Sequence, residues 1–465
     1  MESAMQPLTT IAALQRALDT DALSSEALVE QMLACARDPA GEGERVFRKL
    51  YADRALAQAR AFDNCRKSGM TSAQLGALAG IPLSIKDLFD IEGDVTSAGS
   101  VVLRDNPPAT RDAPAMRRLR RAGAIFIGRT NMTEWAYGAV GLNGHFGTPK
   151  SVWDRAVDGG AGRIPGGSTS GGAVSVSDGM AAATIGSDTG GSVRIPAAIN
   201  GLAGFKPTAR RVPLEGAYPL SRLDSIGPLA HSVADCVLLD AILSGGDEAL
   251  GPPVRAIRGL RLGLARNILQ DALDPEIAKP FERALSKLSA AGAQIIEFDW
   301  TELADYAAIH AKGGFSAAEC HARHRQVLAT RAAEIDPWVV VRVGPGANQS
   351  AADYIDLLAA RERWIANSAA RLSAFDALIA PTVPVVAPRI KPIMDDLATL
   401  GEYFKANAAV LRNCQIINFL DGCGLTIPMH DPSSAPAGLM IAAPAMSDQR
   451  VLGIGLAVEA ILRPS

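Results

Sequence analysis

Ala181-Ala182-Ala183-Thr184-Ile185-Gly186 runs straight into Ser187-Asp188-Thr189-Gly190-Gly191-Ser192-Val193-Arg194. The first six residues are mostly small and apolar and read as a strand. Asp188-Thr189-Gly190-Gly191 reads as a tight turn, and a helix is expected to begin at Ser192. Glycine leaves no side chain in the way of converging amides. The N–H groups of Thr189, Gly190, Gly191 and Ser192 are therefore expected to form a nest for negative charge, helped by the positive end of the helix. Such a nest suits the oxyanion of a tetrahedral intermediate, where losing one donor typically raises the barrier by ~3 kcal/mol. A phosphate cradle is the plainer use of a glycine turn. Against it, neither Gly-x-x-x-x-Gly-Lys-Ser/Thr nor Gly-x-Gly-x-x-Gly occurs in the glycine turns, and no Gly-x-Ser-x-Gly elbow surrounds Ser168 or Ser192.

Working outward, Gly80-Ile81-Pro82-Leu83-Ser84-Ile85-Lys86-Asp87 is a second strand-like run, mostly apolar, that ends on a lysine. Apolar surroundings disfavour the ammonium, so Lys86 is expected to be neutral and basic near pH 7. A second glycine-serine turn, Gly166-Gly167-Ser168-Thr169-Ser170-Gly171-Gly172, lies between the two. One dry lysine and two serines on tight backbone supply a base and a nucleophile without histidine.

Strand and helix patterns alternate along the rest of the chain. Two helices are expected over residues 8–36, with Thr9 or Thr10 and then Ser24 or Ser25 as caps, and a third over 46–68. Ala113 to Ala122 reads as a basic helix and Ala124 to Gly128 as a strand. A short helix is expected over 172–178. Leu260 to Leu264, Gln294 to Phe298 and Ala377 to Thr382 read as further strands, with helices at Pro275 to Ala291 and Ala351 to Ser373. Pro392 to Leu397 and Asp431 to Ala437 read as loops. The alternation implies an α/β sheet covered by helices on both faces.

The composition bounds the partners. The chain has 465 residues, 48% hydrophobic and 20% charged, with a net charge of −3. That balance gives no electrostatic case for nucleic acid or an anionic membrane, and the arginines at 117, 118, 120 and 121 read as a solvated helix face. Six scattered cysteines form no Cys-x-x-Cys pair, so reduced thiols and a cytoplasmic location are expected, without a signal peptide or a spanning helix. Glu319, Cys320, His321 and His324 offer a metal pair, but a closed site needs about four ligands and no second cluster is visible. No metal or cofactor is expected. His145 and His231 have no motif linking them to Ser192.

Gly80 to Asp90, Thr130 to Ala136 and above all Pro165 to Thr208, with Gly204-Phe205-Lys206-Pro207-Thr208 at its end, resemble the amidase signature family. Leu223 to Pro228 and Ile379 to Pro384 extend the similarity. The resemblance implies one domain over 1–465, a central twisted mixed sheet between helices. It divides into N-terminal helices at 1–75, a catalytic core at 76–235 and a C-terminal α/β portion at 236–465. It also implies an amidohydrolase with a Ser–Ser–Lys triad: Ser192 as nucleophile, Lys86 as base and Ser168 as the bridging serine, which the family holds on a cis peptide. Aligning on the trailing glycines selects Thr169 instead; aligning on the leading ones selects Ser168, which keeps the family's spacing. Asp188, Arg194 and Ser170 are expected to brace the loops, and Ala136, Tyr137 and Gly138 to line the acyl pocket. The expected substrate is a small carboxamide or ureido-type amide, and relatives make a homodimer a reasonable expectation. A glutamine-hydrolysing component of an amidotransferase complex is the alternative, and a non-catalytic scaffold of the same fold is the third reading.

Overall fold

The computed structural model describes residues 10–246 and 251–462. Eleven strands form one sheet: β1 (Phe47–Leu50), β2 (Pro82–Lys86), β3 (Ile125–Thr130), β4 (Ala183–Asp188), β5 (Ala203–Lys206), β6 (Ser225–Ala230), β7 (Arg261–Ala265), β8 (Gln294–Phe298), β9 (Ala377–Pro381), β10 (Cys423–Pro428) and β11 (Gly438–Ala443). Their spatial order is β1-β3-β2-β4-β6-β5-β10-β11-β9-β7-β8. Two parallel blocks, β3-β2-β4 and β9-β7-β8, flank an antiparallel centre. The sheet is thus mixed, as expected, and helices cover it. Every residue of β2, β3 and β4 is buried, which is why these strands read as apolar runs rather than as alternating patterns.

Ser84 and Thr184 inside those strands are paired. Ser84 shares a 2.8 Å hydrogen bond with Ser175, and Thr184 donates to the Ser84 carbonyl at 3.1 Å. Both bonds tie the helix Ser170–Ser177 and strand β4 to β2. That helix packs closely because its first turn is glycine. A Cβ on Gly171 would lie 2.6 Å from the Val46 carbonyl oxygen, and one on Gly172 would lie 2.7 Å from Thr184 Oγ1. Close packing of helix on sheet, rather than anion binding, explains this pair of glycines.

Several expectations are corrected here. The third helix starts later, at Ala52, because residues 47–50 form β1, an edge strand antiparallel to β3. Arg48 and Lys49 in its middle hid it, and charges of this kind are typical of edge strands. The helix after the first glycine turn begins at Ser170, two residues early, and the helix after Ser192 begins only at Arg194. The expected loop at Pro392 to Leu397 overlaps a short helix, Ile390–Asp395, in whose first turn Pro392 is tolerated. Thr10 and Ser24 do cap the first two helices, accepting from Ala13 and Ala27, whereas Leu8 and Thr9 lie outside the described residues. Among the described residues no helix is long and apolar enough to cross a membrane.

Candidate active site

Strand β2 delivers Lys86 into the interior at its C-terminal end, with no exposed surface. Nζ donates to Ser168 Oγ at 2.8 Å and to Ser187 Oγ at 3.0 Å. Burial depresses the lysine pKa from 10.5 to about 7, against the charges of Asp188 and Asp224, which favour the ammonium. A second buried lysine, Lys206, is lowered to about 8 by the same cause, but its ammonium meets only the carbonyls of Pro207 and Gly422. Lys86 alone of the two reaches hydroxyls.

Ser168 follows a cis peptide bond from Gly167. Its carbonyl accepts from the Thr133 amide at 3.2 Å. Thr169, the other residue that the sequence admits at this position, has a buried hydroxyl with no hydrogen-bond partner among the described residues. That hydroxyl packs against Gly186, where a Cβ would lie 2.5 Å from it. Ser170 is likewise buried, and its hydroxyl has no partner among the described residues.

The Asp188 to Ser192 loop is held from behind. Asp188 and Arg194 are both fully buried and paired through two contacts, 3.0 and 3.1 Å. The same carboxylate accepts from the amides of Gly191 (2.8 Å) and Val193 (3.1 Å) and from the Asn418 side-chain amide (2.8 Å). Burial pushes its pKa up, but the Arg194 charge and these hydrogen bonds outweigh burial and hold it well below the usual carboxylate range. Arg194 in turn donates to Asn418 Oδ1 at 2.6 Å and to the Cys414 carbonyl at 3.1 Å. Gly191 sits at φ 130°, and a Cβ there would lie 2.5 Å from Ile195 Cδ1 and 2.6 Å from Cys414 Cβ. Because Asp188 takes the Gly191 amide, three of the four expected nest donors remain: among the described residues the amides of Thr189, Gly190 and Ser192 have no protein acceptor. Thr189 is fixed by donating its hydroxyl to Asp224 at 2.5 Å. Burial raises Asp224 to about 6 despite that bond and the amides of Leu220 and Ser221.

This loop forms one wall of a cavity of about 150 Å³. Thr189, Gly190 and Ser192 line it, and so do Ala136, Tyr137 and Gly138. The Ser192 hydroxyl makes no hydrogen bond among the described residues. The opposite wall was not foreseen. It comes from three helices between residues 303 and 343, which contribute Tyr306, His310, Phe315 and Arg342, and from Leu411 and Gln415. Ser187, Asp224 and Asn418 are the other contributors that the sequence pattern did not reveal. Ser187 carried a usable signal, since it lies one residue before Asp188 at the start of the glycine turn.

The histidine clusters separate. His324 is buried, stacks on Trp135 with ring centroids 3.8 Å apart, and bonds to the Tyr218 hydroxyl (2.6 Å) and the Cys320 carbonyl (2.8 Å). Burial lowers its pKa to about 4 and raises the Cys320 thiol to about 12. Glu319 pairs instead with Arg222. The His324 ring thus supports the turn that carries Ala136 to Gly138. His145 lies between Glu134 and Asp336, away from the cavity lining. These three are the one group among the described residues whose possible metal-ligating atoms lie within 4.8 Å of one another.

Comparison with known proteins shows a hydrolase acting on amide C–N bonds. The chain belongs to the amidase family, the amidase signature group, whose model matches residues 42–452. It is 34% identical to 2-amino-5-chloromuconic acid deaminase from Comamonas testosteroni, over 95% of this chain and 93% of that one. A component of the glutamyl-tRNA(Gln) amidotransferase from Acidothermus cellulolyticus is 32% identical over 92% and 89% of the two chains. A crystal structure of an amidase superposes with a TM-score of 0.84 at 31% identity, covering 98% of this chain and all of that one.

Proposed function

We propose that this chain hydrolyses a small carboxamide or ureido-type amide through an acyl-enzyme, with Ser192 as nucleophile, Ser168 as relay and Lys86 as base. The observation that carries this reading is the 2.8 Å contact between Lys86 and Ser168 in a place where burial brings the lysine pKa to about 7. A neutral amine there accepts the Ser168 proton as Ser168 takes that of Ser192. The Ser192 oxygen attacks the amide carbon, and the C=O electrons move onto oxygen. The amides of Thr189, Gly190 and Ser192 stabilise that oxyanion without having to move. On collapse the C–N bond breaks, and the relay returns the proton to the departing nitrogen. Water then attacks the acyl-enzyme with the same base, releasing the acid and restoring Ser192. No step needs a metal or a cofactor. Asp188, Arg194 and Ser170 play no part in proton transfer; the first two fix the loop. Tyr137, with Ala136 and Gly138, shapes the acyl side of the cavity.

The test is covalent labelling. A fluorophosphonate should add to Ser192, seen by peptide mass spectrometry. Ser192→Ala should lose both the label and amide turnover; retained turnover would reject the assignment.

A second reading has an observation of its own. The 32% identity with a component of a glutamyl-tRNA(Gln) amidotransferase supports a glutamine-hydrolysing chain that works with partner chains. The higher identity and coverage with a deaminase of a small acid favour the free-standing enzyme. Glutamine turnover that appears only with co-purifying chains would reverse that order.

A further inference from the structure

The helix Pro337–Val343 brings Arg342 to the cavity wall. The guanidinium carbon lies 4.6 Å from the centre of the Tyr137 ring, and the Tyr137 hydroxyl donates to the Arg342 carbonyl at 3.2 Å. The stack sets the guanidinium against Tyr137, and the hydrogen bond ties Tyr137 to the backbone of this helix. The buried Nε of Arg342 has no hydrogen-bond partner among the described residues. Among the described residues no carboxylate lies within 4 Å of the guanidinium. The other arginines near the site behave differently: Arg194 faces Asp188, and Arg222 faces Glu319. Arg342 itself is partly exposed at the cavity wall, and with no acidic side chain beside it the charge there is open to an anionic occupant.

The remaining lining is neutral. Among the described residues no Asp or Glu lines the cavity. Tyr306, Ser316 and Gln415 are polar without charge, and burial lowers the pKa of His310, which favours its neutral form. The cavity therefore holds one fixed positive charge and nothing to answer a second cation. Its volume, about 150 Å³, is roughly half the lower end of the range for drug-sized ligands.

We infer that the substrate is a small amide carrying a carboxylate but no ammonium group, and that Arg342 binds the carboxylate while Ser192 faces the amide. This rests on the hydrolytic reading above and narrows its substrate class. A guanidinium is suited to it because its planar fork matches two carboxylate oxygens. Glutamine, a zwitterion, fits less well, since its ammonium would be desolvated without an acid to pair with.

The experiment is calorimetric binding to the Ser192→Ala protein, so that no turnover intervenes. Three ligands of similar length isolate the charges: glutaramate, its neutral methyl-ketone isostere 5-oxohexanamide, and glutamine. Glutaramate should bind tighter than the isostere by on the order of 10- to 100-fold, the usual worth of a hydrogen bond to a charged group, and tighter than glutamine. Arg342→Gln in the same background should reduce the preference over the isostere to within about threefold, and Arg342→Lys should restore part of it. Equal affinity for glutaramate and the isostere, a preference that survives Arg342→Gln, or glutamine binding at least as tightly as glutaramate would each overturn the inference. Failure of the hydrolytic reading looks different: wild-type Ser192 would resist the phosphonate while the carboxylate preference stayed intact.

Discussion

Replacing Lys86 by methionine separates the charge state of this residue from its role in catalysis. Lys86 has no exposed surface and a pKa near 7 in place of 10.5. Above pH 7 the folded protein holds little proton at this position, while the unfolded chain keeps its own up to about pH 10.5. The unfolded state therefore binds more protons across that window, and wild-type stability rises with pH through it. At ~1.4 kcal/mol per pH unit, keeping the lysine in its buried site costs about 4 kcal/mol at pH 7 and about 2 kcal/mol at pH 9. Methionine removes this cost but leaves the Ser168 and Ser187 hydroxyls without their donor, at ~1–3 kcal/mol each and independent of pH. The absolute difference between the two proteins is thus small or of either sign, but its pH dependence is not. Urea titrations of both proteins at pH 7 and pH 9 should show the stability of the variant, relative to wild type, falling by about 2 kcal/mol. Titrations elsewhere in the chain cancel in this difference. A relative stability that is flat, or that increases with pH, would mean that Lys86 carries its charge in the fold and cannot serve as the base. In wild type the same group should give kcat/KM a rising limb near pH 7, because only the neutral amine accepts a proton.

Ser168→Ala should lower kcat/KM by about 10²–10⁴-fold while changing folding stability by only ~1 kcal/mol, read by ammonia release and thermal melting; activity above a tenth of wild type would remove Ser168 from the relay. Asp188→Asn leaves Arg194 charged in a fully buried place, so urea titration should register a loss of about 3–5 kcal/mol. Gly191→Ala places a Cβ within 2.6 Å of both Ile195 and Cys414 at a φ that alanine avoids; a loss of about 1–3 kcal/mol is expected in the same assay, and wild-type stability would show that the loop yields.

The legible parts of the fold are those whose signal is local. Strands β2, β3, β4, β7 and β9 announce themselves as short, largely buried runs, and the first two helices are delimited by Thr10 and Ser24. Strand β1 was missed because pairing with β3 overrides a charged, helix-like sequence. The register of the centre, where β6 inserts between β4 and β5, depends on chain crossings that no local pattern encodes. Among the candidate site residues, Ser168 and Ser192 stand out in the sequence because they lie on glycine turns, and Lys86 because it ends an apolar strand. Arg342, Tyr306 and Gln415 were not, since what makes them cavity residues is their distance from Ser192 in space, more than a hundred positions away in the chain. The Gly191 amide illustrates a subtler limit: the turn was recognised, yet only the fold shows Asp188 occupying that donor.

The two walls of the cavity have different origins. One is clamped by the Asp188–Arg194–Asn418 cluster, behind the nucleophile, and owes nothing to the helices between 303 and 343. None of those helices contributes to the Lys86 contacts with Ser168 and Ser187. On the proposed mechanism, selection can therefore exchange one substrate for another by rewriting a single face, while the machinery for breaking the bond is inherited intact.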